Sequence, residues 1–417
     1  MSTLNLLKPH LTAESLARFF GLMLIAWQPF WSGARLPTLL LVLLGLWMLW
    51  HKRIDFSSTP VKRLGMVFLL LGVPVLISIP GSYDIQGSLS VAAVLLLFYI
   101  AGLALLQGLK RSEDQQWLQK WLLIVLLAWT MDGWIQYLFG RDLLGVPFGE
   151  DGRILGPFGG NLHLGIFLTV LMPATLWHLA KERPWVALVI LALIAFIAGM
   201  SGARSNVVFL LLGSALLFTQ FAWRQRLLMA PILAGMLALT VALSPTLPAK
   251  ISQFSSFTTN TGLFQKIDNA LSLRLTIWET GWHMLQDRPF TGVGTSAFAE
   301  AYDTYSPRTD DPFRNGGPMK TPYHAHQMYV SIAAESGWPG LIGLMVAIGL
   351  CASWFFRAPQ AYRHQAAPYA ASLAVIVFPI QSQPVLYTIW WFPIVLLLLC
   401  SMITSLSLPT PAEKPKQ

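Results

Sequence analysis

Charge is scarce in this chain. Asp, Glu, Lys and Arg make up only 11% of its 417 residues, while 55% are hydrophobic. A soluble domain carries about a quarter charged residues, so the composition excludes a water-soluble globular protein and points to a polytopic membrane protein. Cysteine is nearly absent. Cys351 and Cys400 both fall inside apolar runs, and the long polar segment has none, which excludes a disulfide framework there and a zinc site built from thiolates. No Gly-x-x-x-x-Gly-Lys-Ser/Thr occurs, so there is no ATP-binding P-loop. Gly-x-Ser-x-Gly is missing too, and Asp310-Asp311 is a poor match to a nucleotide-sugar metal site. Alternating ten-residue segments of the kind that build a β-barrel are not seen, nor is an internal repeat. Acidic residues are outnumbered, and the formal charge is +9. The basic residues nevertheless sit in pairs at the ends of apolar runs, as topology signals do, rather than along a nucleic-acid-binding stripe.

Apolar runs fill most of the chain. By the rule of roughly 20 residues per crossing, about twelve helical spans are expected, near 17–32, 36–50, 64–80, 89–108, 117–139, 161–180, 185–200, 204–222, 227–244, 327–356, 367–384 and 387–406. The first run follows Lys8 and Arg18, contains Trp27, Pro29 and Trp31, and lacks a small-residue cleavage pattern, so it reads as an uncleaved span. Ser201-Gly202 reads as a tight turn between two of the spans. With the N-terminus in the cytoplasm, Lys52/Arg53/Lys62/Arg63, Lys110/Arg111, Lys181/Arg183, Arg224/Arg226, Arg357/Arg363 and Lys414/Lys416 all fall on the cytoplasmic side, as the positive-inside bias requires. The expected organisation is spans one to nine over 1–243, a large periplasmic loop over 244–326, spans ten to twelve over 327–408 and a disordered cytoplasmic tail over 409–417.

Such a loop needs a functional reason. Within it, Asn269 to Asp287 reads as one amphipathic helix whose apolar face carries Leu271, Leu275, Trp278, Trp282 and Leu285, stopped by Pro289 and Gly292-Val293-Gly294. The orientation also gathers His163, His283, His324 and His326 on the outer side, with Arg153, Arg204 and Arg274. Guanidinium groups suit phosphate because they bind it bidentately and keep their charge. Snorkelling or plain solvation is the alternative for each arginine. His324 and His326 flank one alanine. With an unperturbed pKa of about 6.5, a histidine can take a proton from a sugar hydroxyl. The pair could instead cap and pack, or ligate a metal, though no third ligand stands at suitable spacing. An enzyme working on the outer side, where nucleotides are lacking, needs a substrate that carries its own activation.

Arg153-Ile-Leu-Gly156-Pro-Phe158 followed by Asn161, then Ser201-Gly-Ala-Arg204, then Arg274 with Trp278 and Pro289 before Gly292-Val-Gly294, and finally His324-Ala-His326-Gln327-Met-Tyr329 with Glu335-Ser-Gly337-Trp-Pro-Gly340 resemble the O-antigen ligase/polymerase superfamily. The resemblance spans Arg153 to Gly340, and Gln327 stands where the family motif has Asn. It implies an all-α membrane glycosyltransferase of the C-type fold in the bacterial inner membrane, with its active site facing the periplasm. The single dominant loop looks most like the lipopolysaccharide O-antigen ligase. That implies an undecaprenyl-diphosphate-linked glycan as donor, lipid A–core oligosaccharide as acceptor, membrane lipids as surroundings, and no nucleotide, metal, other cofactor or nucleic acid. Carried over residue by residue, it implies catalytic roles for His326, Arg204 and Arg274. Substrate-binding roles fall to Arg153, Asn161, His324, Gln327 and Glu335, the last expected to fix a histidine tautomer. An O-antigen or exopolysaccharide polymerase and a protein O-oligosaccharyltransferase share these features. A secondary transporter or lipid flippase would instead show charges near the bilayer midplane and broken helices in paired halves. The oligomeric state is not set by these residues.

Single cysteines placed between 246 and 320 should react with an impermeant thiol reagent added from the periplasm, and cysteines beside Arg224 or Arg357 should not. Labelling of both classes from one side would separate the arginines from the histidines and undo the reading.

Overall fold

The structure, a computed structural model, describes residues 12–30, 33–149, 152–160, 162–243 and 263–407. Asn161, the start of the large loop and the tail from 409 lie outside the described residues. Among the described residues the chain is all-helical, without strands. The helices are α1 (Ala13–Ala26), α2 (Arg35–Trp50), α3 (Thr59–Ser78), α4 (Ile85–Gly108), α5 (Ser112–Phe139), α6 (Leu164–Glu182), α7 (Pro184–Met200), α8 (Arg204–Phe218), α9 (Trp223–Leu243), α10 (Leu263–Ala270), α11 (Arg274–Asp287), α12 (Phe298–Tyr305), α13 (Met328–Arg357), α14 (Gln360–Ile376) and α15 (Phe392–Ser405).

Each expected span contains a helix, but 6 are long and apolar enough to cross a membrane: α4, α5, α6, α9, α13, and α3 with the 3-10 turn that extends it to Gly81. Helices α2, α7, α8 and α15 are apolar but shorter. The bundle forms around α6 and α15. Every residue of α15 from Phe392 to Ser405 is buried, as is nearly all of α6. The outer helices turn large apolar residues outward instead, among them Leu69 at 65% and Leu96 at 60% exposure. An apolar belt of this extent suits a lipid environment and not water.

Two expected elements differ. The single loop helix over 269–287 is broken: Ser272 (φ 59°) and Leu273 (φ 61°) are left-handed and separate α10 from α11. The Asp268 carboxylate explains the break, because it accepts from the backbone N–H groups of Leu275 and Thr276 and from the Thr276 hydroxyl, and so starts a new helix. Helix α11 then buries Thr276, Ile277, Thr280, Gly281, Met284 and Leu285, not the expected tryptophan stripe. Trp282 is 51% exposed. The short turn expected near Gln383 is also longer. Helix α14 ends at Ile376 and α15 begins at Phe392, so residues 377–391 form a non-helical segment. Pro379 and Pro384 lie within it, and proline cannot donate the backbone hydrogen bond that a helix interior needs.

The loop helices are fastened to the bundle by backbone pairing. Val293 N–H donates to Ala334 O at 2.9 Å, Gly294 N–H to Glu335 O at 3.0 Å, and Trp338 N–H to Pro289 O at 2.7 Å. Those acceptors and donors are available because α13 departs from helical geometry at Gly337 (φ 65°, ψ −167°), just before Pro339. Tyr83 N–H donates to Val293 O, and Arg288 reaches the Gly81 carbonyl, so the far end of α3 joins the same knot.

At Gly292 a Cβ would lie 2.3 Å from the Glu335 carbonyl carbon. Gly292→Val should therefore lift the 289–294 segment from the α13 kink and cost about 1–3 kcal/mol, the usual range for overpacking. A lower melting temperature in detergent and faster proteolysis within 263–320 would register it. Gly72→Ala, where nothing lies within 4 Å of the added Cβ, should change neither.

Candidate active site

The arginines are placed by three separate devices. Met200 ends α7, and Gly202 follows in the left-handed region (φ 78°), so the expected tight turn is present and Arg204 opens α8. A Cβ at Gly202 would sit 2.9 Å from Cδ and Nε of Arg153. The bare glycine is thus the floor on which the Arg153 side chain lies, and only glycine leaves room for it. Arg153 itself is held by its own loop: its carbonyl accepts from Gly149 N–H, and Ile154 N–H donates to Met200 O. Arg274 starts α11, directly after the left-handed Leu273.

Gln136 was not foreseen from the sequence, yet it organises the loop that carries Arg153. Its Oε1 accepts from the N–H groups of Leu155 and Gly156 at 2.8 and 2.9 Å, and its Nε2 donates to the carbonyls of Val146 and Pro147. Asp132, one turn earlier on α5, accepts from Leu143 N–H. A glutamine and an aspartate inside an otherwise apolar run, four residues apart on one helical face, were the available signal.

The two histidines stand on either side of a clamped peptide. Ala325 is fully buried, its N–H donates to the Ser331 hydroxyl on α13, and its carbonyl accepts from Trp278 Nε1 on α11. His326 takes the left-handed conformation (φ 50°), an uncommon state for a residue with a Cβ and one that clusters at functional sites. The imidazole rings meet with centroids 4.3 Å apart. The 377–391 segment underlies them: Met328 N–H donates to Gln381 O, Gln327 Nε2 to Pro379 O, Tyr329 hydroxyl to Val377 O, and His324 bonds to the Ser382 backbone. Nε2 of His324 is buried with no hydrogen-bond partner in the protein.

Electrostatics link these pieces. Burial, with the positive charge of nearby Arg204, pushes the Arg274 pKa below its ordinary value. Burial first, and then Arg274, lowers His326. Burial pushes His324 down to about 4, helped by His326 and Arg274 and opposed by its Ser382 hydrogen bond. Arg153, Gly202, Arg204, Arg274, His324 and His326 thus form one continuous neighbourhood in which both imidazoles are held neutral, as proton acceptors must be.

Gln327 and Glu335 have protein partners. Gln327 is the N-cap of α13, its Oε1 accepting from Val330 N–H at 2.6 Å while Nε2 holds Pro379. The Gln327 amide thus serves this cap with one acceptor and one donor. Glu335 is buried, and its carboxylate accepts from the backbone N–H groups of Ser296 and Phe298 at the start of α12, not from a histidine. His163 stacks on Trp390 with centroids 4.0 Å apart. Among the described residues no group of three or more His, Cys, Asp and Glu converges as metal ligands.

Residues 187–345 match the family model described as O-antigen ligase. That stretch of the chain is similar to the O-antigen ligase family. It contains Arg204, Arg274, both histidines, Gln327 and Glu335, whereas Arg153 and Gln136 lie upstream of the matched residues. No curated protein matches the chain. Members of this superfamily are membrane glycosyltransferase-like ligases and polymerases, and the apolar helices agree with a multi-pass membrane protein.

Because the folded protein keeps His324 neutral while an unfolded chain takes up its proton near 6.5, the unfolded state binds more protons between 6.5 and about 4. Stability is therefore complete above 6.5 and declines as the pH falls toward about 4. Melting temperatures recorded across that window should fall less steeply in His324→Asn than in the unaltered protein.

Proposed function

We propose that the chain is a lipopolysaccharide O-antigen ligase of the bacterial inner membrane, with a C-type fold and its site facing the periplasm. It transfers a glycan from undecaprenyl diphosphate to lipid A–core oligosaccharide, with inversion and without metal or nucleotide. One observation carries the reading: Arg204, Arg274 and a neutral histidine pair share one neighbourhood. A diphosphate leaving group calls for cations, an acceptor hydroxyl calls for a base, and a substrate already activated as a diphosphate ester calls for nothing more.

In this mechanism Arg153, Arg204 and Arg274 hold the diphosphate and stabilise the charge that grows on it as the bond breaks. His326 takes the proton of the acceptor hydroxyl. The hydroxyl oxygen bonds to the anomeric carbon from the face opposite the diphosphate, and the anomeric C–O bond breaks with its electron pair going to undecaprenyl diphosphate. His324, with its open buried Nε2, orients the acceptor or binds one of its phosphates. Gln327 and Glu335 act as positioning residues through the α13 cap and the α12 start, and Asn161 retains the substrate contact expected of it. A groove of about 350 Å³ lined by Trp278, Trp282, Leu285, Tyr329 and Trp338 runs up to Gln327, beside His326. Its apolar walls suit the first isoprene units of the donor.

Purified protein given lipid-linked glycan and lipid A–core, without nucleotide, should yield the coupled product, and chelator should not reduce the yield. His326→Ala should slow transfer by about 10²–10⁴, the usual worth of a general base, with donor binding retained. Arg274→Lys should recover only part of what Arg274→Ala loses, since an ammonium lacks the bidentate fork. Wild-type turnover in folded, donor-binding His326→Ala would remove the base assignment. Loss of activity with chelator and its return with zinc would move the pair to metal ligation.

A further inference from the structure

A second cationic cavity lies at the other end of the bundle. Arg63 stands one turn into α3, whose opposite end reaches the loop helices at Gly81. Arg357 is the last residue of α13, whose first turn follows the histidines. At a rise of about 1.5 Å per residue, the stretch of α13 beyond the Gly337 kink alone puts roughly 30 Å between that kink and Arg357. Between the near ends of α3, α13, α14 and α15 is a space of about 520 Å³, lined by Arg63, Trp354, Arg357, Tyr362 and Ser407, with Leu350 and Leu406.

Its chemistry is one-sided. Two guanidinium groups line it and no carboxylate does. The half-buried Arg63 lies over the Trp354 ring, 5.3 Å from the centroid, and its Nη1 donates to the Ser407 hydroxyl at 3.4 Å. Neither Arg63 nor Arg357 has a carboxylate within ion-pair distance among the described residues. A basic residue that serves topology alone needs only to reach water or headgroups. Arg63 is instead drawn inward onto an indole and held by a hydroxyl, which fixes a planar donor array, the form that matches phosphate oxygens. A lining that joins two cations to Leu350, Leu406, Trp354 and Tyr362 fits a phosphodiester that carries acyl chains.

We propose that this cavity is a headgroup site for an anionic glycerophospholipid of the leaflet opposite the histidines, its phosphodiester bound by Arg63 and Arg357. The bound lipid ties α3, α13, α14 and α15 together at the end where no loop domain does so. The site is separate from the glycan-transfer chemistry, and its test does not need that activity.

Delipidated full-length protein should be placed in nanodiscs of phosphatidylglycerol or of phosphatidylcholine, with bound lipid counted by native mass spectrometry and melting temperature recorded. Phosphatidylglycerol should be retained and should raise the melting temperature, and phosphatidylcholine should do neither. At about one basic contact's worth per arginine near an anionic surface, Arg63→Gln/Arg357→Gln should weaken retention about thirtyfold. Arg357→Gln alone, at an exposed helix end, guards against a folding defect and should lose about fivefold. Lys62→Gln/Arg363→Gln, neighbouring cations outside the cavity, should retain the lipid. Equal retention of both lipids, equal loss in the two double variants, or the same protection from inorganic phosphate alone would each overturn the assignment.

Discussion

Everything at the histidine end depends on the backbone pairing of residues 289–294 with the kink of α13. Three hydrogen bonds join Val293, Gly294 and Pro289 to Ala334, Glu335 and Trp338. An unbroken α-helix spends its N–H and C=O groups internally, so this pairing exists only because Gly337 interrupts the ladder. The kink frees groups that the 289–294 segment then satisfies, and neither half could leave its polar groups buried alone. Once the two are joined, α11 lies along the first part of α13, close enough that a Cβ at Gly281 would meet Val330 at 3.0 Å. Trp278 can then reach Ala325 and fix the segment that carries the histidines. Glu335 adds the start of α12 to the same junction.

The cationic cluster has its own logic. Partial burial costs Arg274 hydration, and the charge of nearby Arg204 adds to that cost. An anion that pairs with both removes the repulsion and replaces lost hydration, so the arrangement favours a doubly charged group over a neutral one. Burial first, and Arg274 after it, lower the pKa of both His326 and His324.

Much of this was legible in the sequence and some was not. Each apolar run expected to span contains a helix, because a long stretch of one character favours one, but only six of these helices are long and apolar enough to cross a membrane among the described residues. The Ser201-Gly202 turn was readable for the same reason that Gly202 is needed there, a positive φ beside a close neighbour. The break at Ser272-Leu273 was not readable. It is driven by Asp268, and a carboxylate that caps a following helix across a turn leaves the hydrophobic period unchanged. The role of Gln136 depends on a loop folding back onto α5, which no local pattern encodes. Convergence of the arginines and histidines came through order and side, while Gln327 and Glu335 proved to be tied to backbone partners that only the fold brings near.

The segment between α14 and α15 has a bearing on how the protein is made. Pro379, Gln381 and Ser382 support the histidine peptide from below, yet they are synthesised more than fifty residues after it and are held in place by the last helix. Phe392 to Ser405 is entirely buried at the bundle centre, so that helix cannot be an optional addition. A growing chain that has exposed both histidines and all three arginines still lacks the floor of their site. The histidine peptide therefore gains its partners at Pro379, Gln381 and Ser382 only after α14 has been made, and α15 packs into the bundle after both.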